Sequence, residues 1–202
     1  MKTTLVHSLV FVLFLIGLAC QTTTQVERYD LLIKNTWIVD GTGNAGFGGS
    51  VAIRGEKIVA VGDVRGEAEV ELDGSGLITC PGFIDPHSHA DTTIMEYPLA
   101  PNLVMQGITT FLGGNCGMSP APQSDTTFAK WLSDAEKEGI AVNYAPLVGH
   151  RSVRTAVMGD DFKREATDEE ICRMKSHVDE AMSAGALGLS SFADPKIGRA
   201  HV

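Results

Sequence analysis

From residue 77 to residue 191 the sequence alternates short apolar runs with longer amphipathic stretches, and no other feature restricts its fold as much. Such alternation demands βα units, whose strands pair in parallel. The apolar runs are 77–85 (LITCPGFID), 108–112 (ITTFL), 141–148 (AVNYAPLV) and 186–191 (ALGLSS). Between them, helices are predicted over 97–106, 127–138 and 168–184. Gly139 ends the second helix. Thr167 supplies an N-cap to the third, and Glu170, three places on, completes a capping box. Four strands without an internal repeat predict a parallel sheet.

A different grammar precedes this segment. Residues 29–40 (YDLLIKNTWIVD) are β-rich and end in Gly41-Thr42-Gly43. Residues 50–54 and 57–62 read as a hairpin about Gly55-Glu56. Residues 67–73 (EAEVELD) alternate polar and apolar side chains, as in a strand with one wet face. Gly74-Ser75-Gly76 then breaks the pattern. Residues 29–76 are therefore expected to form a small β-sandwich, and residues 77–191 the βα unit.

At 44% hydrophobic, with 22 Gly and 8 Pro in 202 residues, the chain can bury a core and must turn often. Its 25 Asp and Glu outnumber 16 Lys and Arg, for a formal charge of -9. No basic stripe is left for a phosphate backbone, so no nucleic-acid partner is expected. Four cysteines are too few for a disulfide scaffold. Cys80 and Cys172 read as structural, with a disulfide between them open in an oxidising compartment.

The first residues carry a separate signal. A single Lys2 precedes the apolar run 9–19, LVFVLFLIGLA, which ends at Cys20. At a rise of about 1.5 Å per residue this run falls well short of the ~30 Å of bilayer hydrocarbon. Residues 1–19 thus read as an export signal and not as a membrane span. Gly17-Leu18-Ala19-Cys20 resembles a bacterial lipobox, which implies membrane attachment through a lipid on Cys20. Residues 20–28 then form a polar tether. The chain is expected in the bacterial periplasm or as a membrane-anchored lipoprotein, with simple cleavage and secretion as the alternative.

The chemistry-bearing residues lie where strands become loops. His87-x-His89 follows the first apolar run, and residues two apart on an extended chain face the same side. Imidazole pairs suit zinc, nickel, iron or manganese. Asp85, two places earlier, is placed to orient an imidazole from behind, and Asp91 is a weaker candidate. Cys116 sits in GGNCG directly after the second run, where glycines permit close approach and positive φ. A thiolate metal ligand suits that position better than an inert core thiol. His150 follows the third run in the same manner and faces either the site or the core. His177, within the last predicted helix, reads as solvated.

PGFIDPHSHAD followed by QGITTFLGGNCG resembles the amidohydrolase superfamily, and within it the N-acyl-D-amino-acid deacylase (D-aminoacylase) branch. YDLLIKNTWIVDGTG, SVAIRGEKIVAVGD, NYAPLVGHRSVR and AMSAGALGLSS resemble further segments of the same family, so the likeness runs from Tyr29 to Ser191. It implies the N-terminal part of a metal-dependent hydrolase (β/α)8 TIM barrel, preceded by a small β-sandwich. It implies zinc-dependent cleavage of small-molecule N-acyl-D-amino acids to a D-amino acid and a carboxylate, with one tightly held zinc and a weaker second. Related enzymes bridge two metals with a carboxylated lysine after strand four, but residues 185–191 contain no lysine. In this branch the strand-two cysteine takes that place. The resemblance makes His87, His89 and Cys116 metal ligands, with Asp85 and His150 behind them.

The family's other two histidine ligands and its general acid/base Asp belong to later strands, so that Asp is expected beyond residue 202. The sequence given then supplies part of a metal site and, by itself, negligible activity. Residues 192–202 depart from the family pattern, and IGRAHV at 197–202 resembles a translated library adapter, so this tail is expected to be non-native. Two other readings stay open at this point. One is a related amidohydrolase acting on cyclic amides or dipeptides, the other a non-catalytic secreted metal-binding domain.

Overall fold

The computed structural model describes residues 26–192. The export signal 1–19, Cys20, most of the tether and residues 193–202 of the tail lie outside the described residues. The chain divides between Pro81 and Gly82 into two compact units.

The N-terminal unit is one mixed sheet of β1 (Arg28–Ile38), β2 (Phe47–Arg54), β3 (Lys57–Gly62), β4 (Glu67–Asp73) and β5 (Ile78–Thr79). Its order is β3-β2-β1-β4, with β5 beside the far end of β1. The first three strands are antiparallel, whereas β4 and β5 run parallel to β1. Asn35, at φ 56°, marks the register shift in β1. There β4 leaves β1, and Gly74 spans the gap by donating its N–H to the Lys34 carbonyl at 2.7 Å. Beyond it, buried Thr36 bonds the Leu77 carbonyl at 3.0 Å and the Thr79 hydroxyl at 2.9 Å.

Residues 77–79 therefore belong to this sheet, and the boundary expected at 76/77 moves to Pro81/Gly82. The run 77–85 is two strands because Pro81 offers no N–H to a ladder. One face buries Tyr29, Leu32 and Ala52. Ile58, Val61, Val70 and Leu72 stay exposed, so the described residues supply one layer of the expected sandwich.

The second unit contains β6 (Phe83–Asp85), β7 (Ile108–Gly113), β8 (Asn143–Pro146), β9 (Val148–Gly149) and β10 (Leu189–Ser190). Its helices are α1 (Pro101–Val104), α2 (Phe128–Glu138), α3 (His150–Met158) and α4 (Asp168–Ala184). Strands β6, β7 and β8 pair in parallel, as do β9 and β10. Leu147 separates β8 from β9 and donates to the Gly113 carbonyl at 2.9 Å. On the other side Leu187 donates to Pro146 at 2.8 Å and Val148 to Gly188 at 3.0 Å. The third run thus pairs with β7 and then with β10, giving four parallel strands in chain order.

Two apolar clusters hold the helices to these strands. Phe128, Val148, Val153, Met174 and Ala181 form one, and Ile94, Leu103, Phe111 and Val142 the other. Trp131 packs against both. Tyr144 stacks on Phe111 at 4.9 Å between centroids and meets Trp131 edge-on at 5.3 Å. Glu180 of α4 accepts from Phe128 N–H at 3.3 Å and Ala129 N–H at 3.0 Å, covering free donors at the start of α2.

Two helices differ from expectation. The helix expected over 97–106 shrinks to α1, because Pro101 disfavours helical geometry at Ala100, which sits at φ 38°. The helix α3 is unheralded in sequence. Gly149 gives it no side-chain cap, and Arg154 occupies its buried side. The Arg154 guanidinium is satisfied there by the carbonyls of Phe162 and Arg164.

The expected capping box of α4 is present: Glu170 N–H donates to Thr167 Oγ1 at 3.3 Å, and Thr167 N–H to Glu170 Oε2 at 2.9 Å. The Arg164 fork on the same carboxylate, aided by the Thr167 amide, holds its pKa down at about 2 from an ordinary 4.5. A depressed carboxylate stabilises the fold fully above its ordinary range and loses that contribution as pH falls toward 2. Glu170→Gln is expected to flatten the acid limb of stability in this window, measured by urea unfolding at stepped pH. Thr167→Ala should cost about 1 kcal/mol at neutral pH.

Candidate metal centre

The site begins with the pairing of β6 and β7, which sets Asp85 beside Phe111. Pairing continues past the end of β6, since Ser88 N–H donates to the Leu112 carbonyl at 3.0 Å. The buried Asn115 amide stitches the two loops, donating to Ser88 O at 3.1 Å and Leu112 O at 2.7 Å. Ser88 is buried while its neighbours His87 and His89 are exposed. The two imidazoles lie 5.6 Å apart between centroids, at 68° to one another.

Cys116 completes the group. Its Sγ lies 3.4 Å from His87 Nε2, and one ligand atom from each of His87, His89 and Cys116 falls within 4.8 Å of the others. The backbone of Cys116 is left-handed, at φ 54°. Met118 N–H closes this turn on the Asn115 carbonyl at 3.0 Å, and the surrounding backbone is closely packed. A Cβ on Gly114 would stand 1.9 Å from the Leu147 carbonyl oxygen, and one on Gly149 2.5 Å from that of Gly117. Gly117 O in turn accepts from Arg151 N–H at 2.8 Å and Ser152 N–H at 3.2 Å, in the first turn of α3.

Among the described residues, the others expected at the site do not join this group. Asp85 accepts from the His87 backbone N–H at 3.1 Å, so it fixes the main chain that carries the histidines. His150 is half-buried at the start of α3, and its Nε2 has no hydrogen-bond partner. Burial, then the nearby Arg154, lower its pKa below the ordinary imidazole value and favour the neutral ring. His177 is half-buried on α4 rather than solvated. Cys80 and Cys172 are exposed free thiols.

Asp91 has a part that its place in the sequence does not announce. It is buried, and its Oδ2 accepts from Gly114 N–H at 2.7 Å and from the Tyr144 hydroxyl at 3.5 Å. Burial raises its carboxyl pKa, opposed by the Gly114 amide and by His89. Burial and the adjacent Asp91 also push the Tyr144 phenol up, keeping it a donor. Its partner Gly114 lies 23 residues downstream, a relation that local sequence cannot display.

Two imidazoles and one thiolate make a borderline-soft donor set of the kind that holds zinc, so the residues fit such an ion. Donors at the carboxyl ends of the first two parallel strands of a βα array follow the plan by which (β/α)8 barrels build their sites. Residues 70–196 match the amidohydrolase family, and the chain belongs to it.

The chain is 40% identical over 181 residues to N-acyl-D-aspartate deacylase of Alcaligenes xylosoxydans xylosoxydans, covering 80% of this chain and 36% of the relative. It is 36% identical over 186 residues to D-aminoacylase of the same organism, covering 83% and 38%. It thus spans little more than a third of these relatives' lengths. Among solved structures, D-aminoacylase with a binuclear metal center matches at TM-score 0.80 and 34% identity, over 86% of this chain and 40% of that one. N-acyl-D-glutamate deacylase from Bordetella bronchiseptica, complexed with zinc and a phosphonate inhibitor, matches at TM-score 0.75 and 33% identity, over 82% and 38%. The fold is that of the N-terminal part of an amidohydrolase barrel.

Asp91→Ala strands the buried Gly114 N–H, and the expected loss is about 1–3 kcal/mol of unfolding free energy. Asp91→Asn keeps an acceptor for that amide and should lose less. Equal losses in chemical denaturation would show that the charge matters, and not the hydrogen bond.

Proposed function

We propose that this protein is a zinc-dependent amide hydrolase acting on N-acyl-D-amino acids, with His87, His89 and Cys116 as metal ligands. The observation that carries the reading is the convergence of these three side chains within 4.8 Å on neighbouring strand ends. The names of the relatives supply the substrate class: deacylation of N-acyl-D-aspartate, of N-acyl-D-glutamate, and of D-amino acids more broadly. A zinc ion held there supplies Lewis acidity toward the amide carbonyl and an activated water near neutral pH. Cys116 contributes the anionic donor, while His87 and His89 contribute neutral ring nitrogens. Asp85 holds the backbone of His87 and so limits the swing of that ring. His150, half-buried at the start of α3, keeps a neutral ring. The carboxylate that moves a proton from water to the leaving amine lies, in this reading, beyond residue 202.

In a chain extended to the length of its relatives, Cys116→Ala should remove tightly bound zinc, read by elemental analysis after dialysis. His87→Ala and His89→Ala should lose less, because each removes a neutral donor and leaves the thiolate in place. Equal zinc in wild type and Cys116→Ala would refute the ligand set. Release of D-amino acid from N-acetyl-D-aspartate, N-acetyl-D-glutamate or N-acetyl-D-leucine tests the substrate class. Turnover of hydantoins or dipeptides alone would overturn it.

Export and lipid anchoring belong to the same proposal. The apolar run 9–19 ending at Cys20 supports cleavage before Cys20 and acylation of its side chain. Expressed in a bacterial host, the wild-type protein should partition into detergent and Cys20→Ser into water, because the lipid is the proposed anchor. A wild type found wholly in water would leave simple secretion.

A further inference from the structure

The end of the fourth parallel strand contributes no ligand to the trio, yet it reaches the loop that carries Cys116. Ser190, on β10, is half-buried, and its hydroxyl stands between the two ends of that loop. Oγ accepts from Gly117 N–H at 3.0 Å and donates to the Gly114 carbonyl. A hydroxyl has one proton and two lone pairs, so both bonds form at once. The span that it closes contains Asn115 and the left-handed Cys116. That conformation is disfavoured for a residue with a Cβ and persists where its surroundings over-determine it. Within the span, Met118 N–H closes a turn on the Asn115 carbonyl at 3.0 Å, while at the two ends Asp91 takes Gly114 N–H and the first turn of α3 takes Gly117 O. Ser190 holds both ends.

We propose that Ser190 is a positioning residue, whose clasp on Gly114 and Gly117 keeps Cys116 left-handed and aims its Sγ toward His87. The consequence for metal affinity rests on the reading of Cys116 as a ligand, while the clasp itself does not. The fourth strand thereby acts on the site from behind the thiolate. A side chain facing the metal from that strand is not required for this role.

Ser190→Val and Ser190→Thr are nearly equal in volume and differ by the hydroxyl, and Ser190→Ala repeats the comparison if the valine does not fold. The test uses the full chain, first metal-free and then loaded with zinc or cobalt. In the metal-free protein, hydrogen exchange at Gly117 N–H should quicken about tenfold in the valine variant, the equivalent of one hydrogen bond, and stay near wild type in the threonine variant. Zinc affinity, from competition with a chelator, should weaken roughly tenfold or more in the valine variant and recover with threonine. The thiolate-to-cobalt charge-transfer band should weaken in the same order. Unchanged exchange in both Ser190→Val and Ser190→Ala would overturn the clasp. Faster exchange with unchanged zinc affinity and an unchanged cobalt band would overturn the positioning role. A wild type lacking any thiolate-to-cobalt band would refute Cys116 as a ligand, and the exchange comparison would still decide the clasp.

Discussion

Two loops from different strands can hold one ion only if the strands beneath them cannot slip, and the pairing of β6 with β7 supplies that constraint. A one-residue slip in a strand turns every side chain to the opposite face. Here it would bury His87 and His89 and expose Ser88. The ladder resists this beyond its last strand residue, through Ser88 N–H on Leu112 O and the Asn115 amide on both Ser88 O and Leu112 O. Asn115 is buried and neighbours Cys116 in the chain, so the side chain that locks the register also sets where the thiol emerges.

The same economy governs the backbone of the Cys116 loop. A buried amide or carbonyl without a partner costs free energy, and this loop packs too closely on Leu147 to admit a side chain at Gly114. Its polar groups are taken up by Asp91, by Ser190 and by the first turn of α3. Three separate stretches of chain thus converge on a tight turn, each from a different strand end. The position of one thiol therefore depends on all four parallel strands, and loosening any of them reaches the site.

What could be read from the sequence follows from how local each signal is. The helix α4 was legible because its cap, its apolar period and its terminal Gly185 lie within one window. The clustering of His87, His89 and Cys116 was legible because histidine and cysteine are uncommon residue types and each motif adjoins an apolar run. The part played by Asp91 was not, since its partner Gly114 is remote in sequence and the motif HSHAD suggests at most an imidazole partner. Asp85 likewise reads as an imidazole partner and proves to hold a backbone amide. The helix α3 escaped because a buried arginine, satisfied by the carbonyls of Phe162 and Arg164, masks its inner face. The boundary at Pro81 escaped because β5 is too short to register as a strand apart from the run that follows it. Each miss is a tertiary contact overriding a local pattern.

Exposure divides the site into two zones, and the division bears on its chemistry. His87 and His89 are exposed, whereas Ser88, Asp91 and Asn115 are 8%, 3% and 7% exposed. Burying a free thiol deeply would oppose the thiolate that metal binding demands. Placing rigidity in the groups beneath avoids that cost and leaves the ligand atoms open. Structural zinc sites close four protein ligands around the ion, while catalytic ones keep a position free for water or substrate. Among the described residues three donors are held from below on neighbouring strand ends, and in the hydrolase reading further ligands, water and substrate enter from the other side.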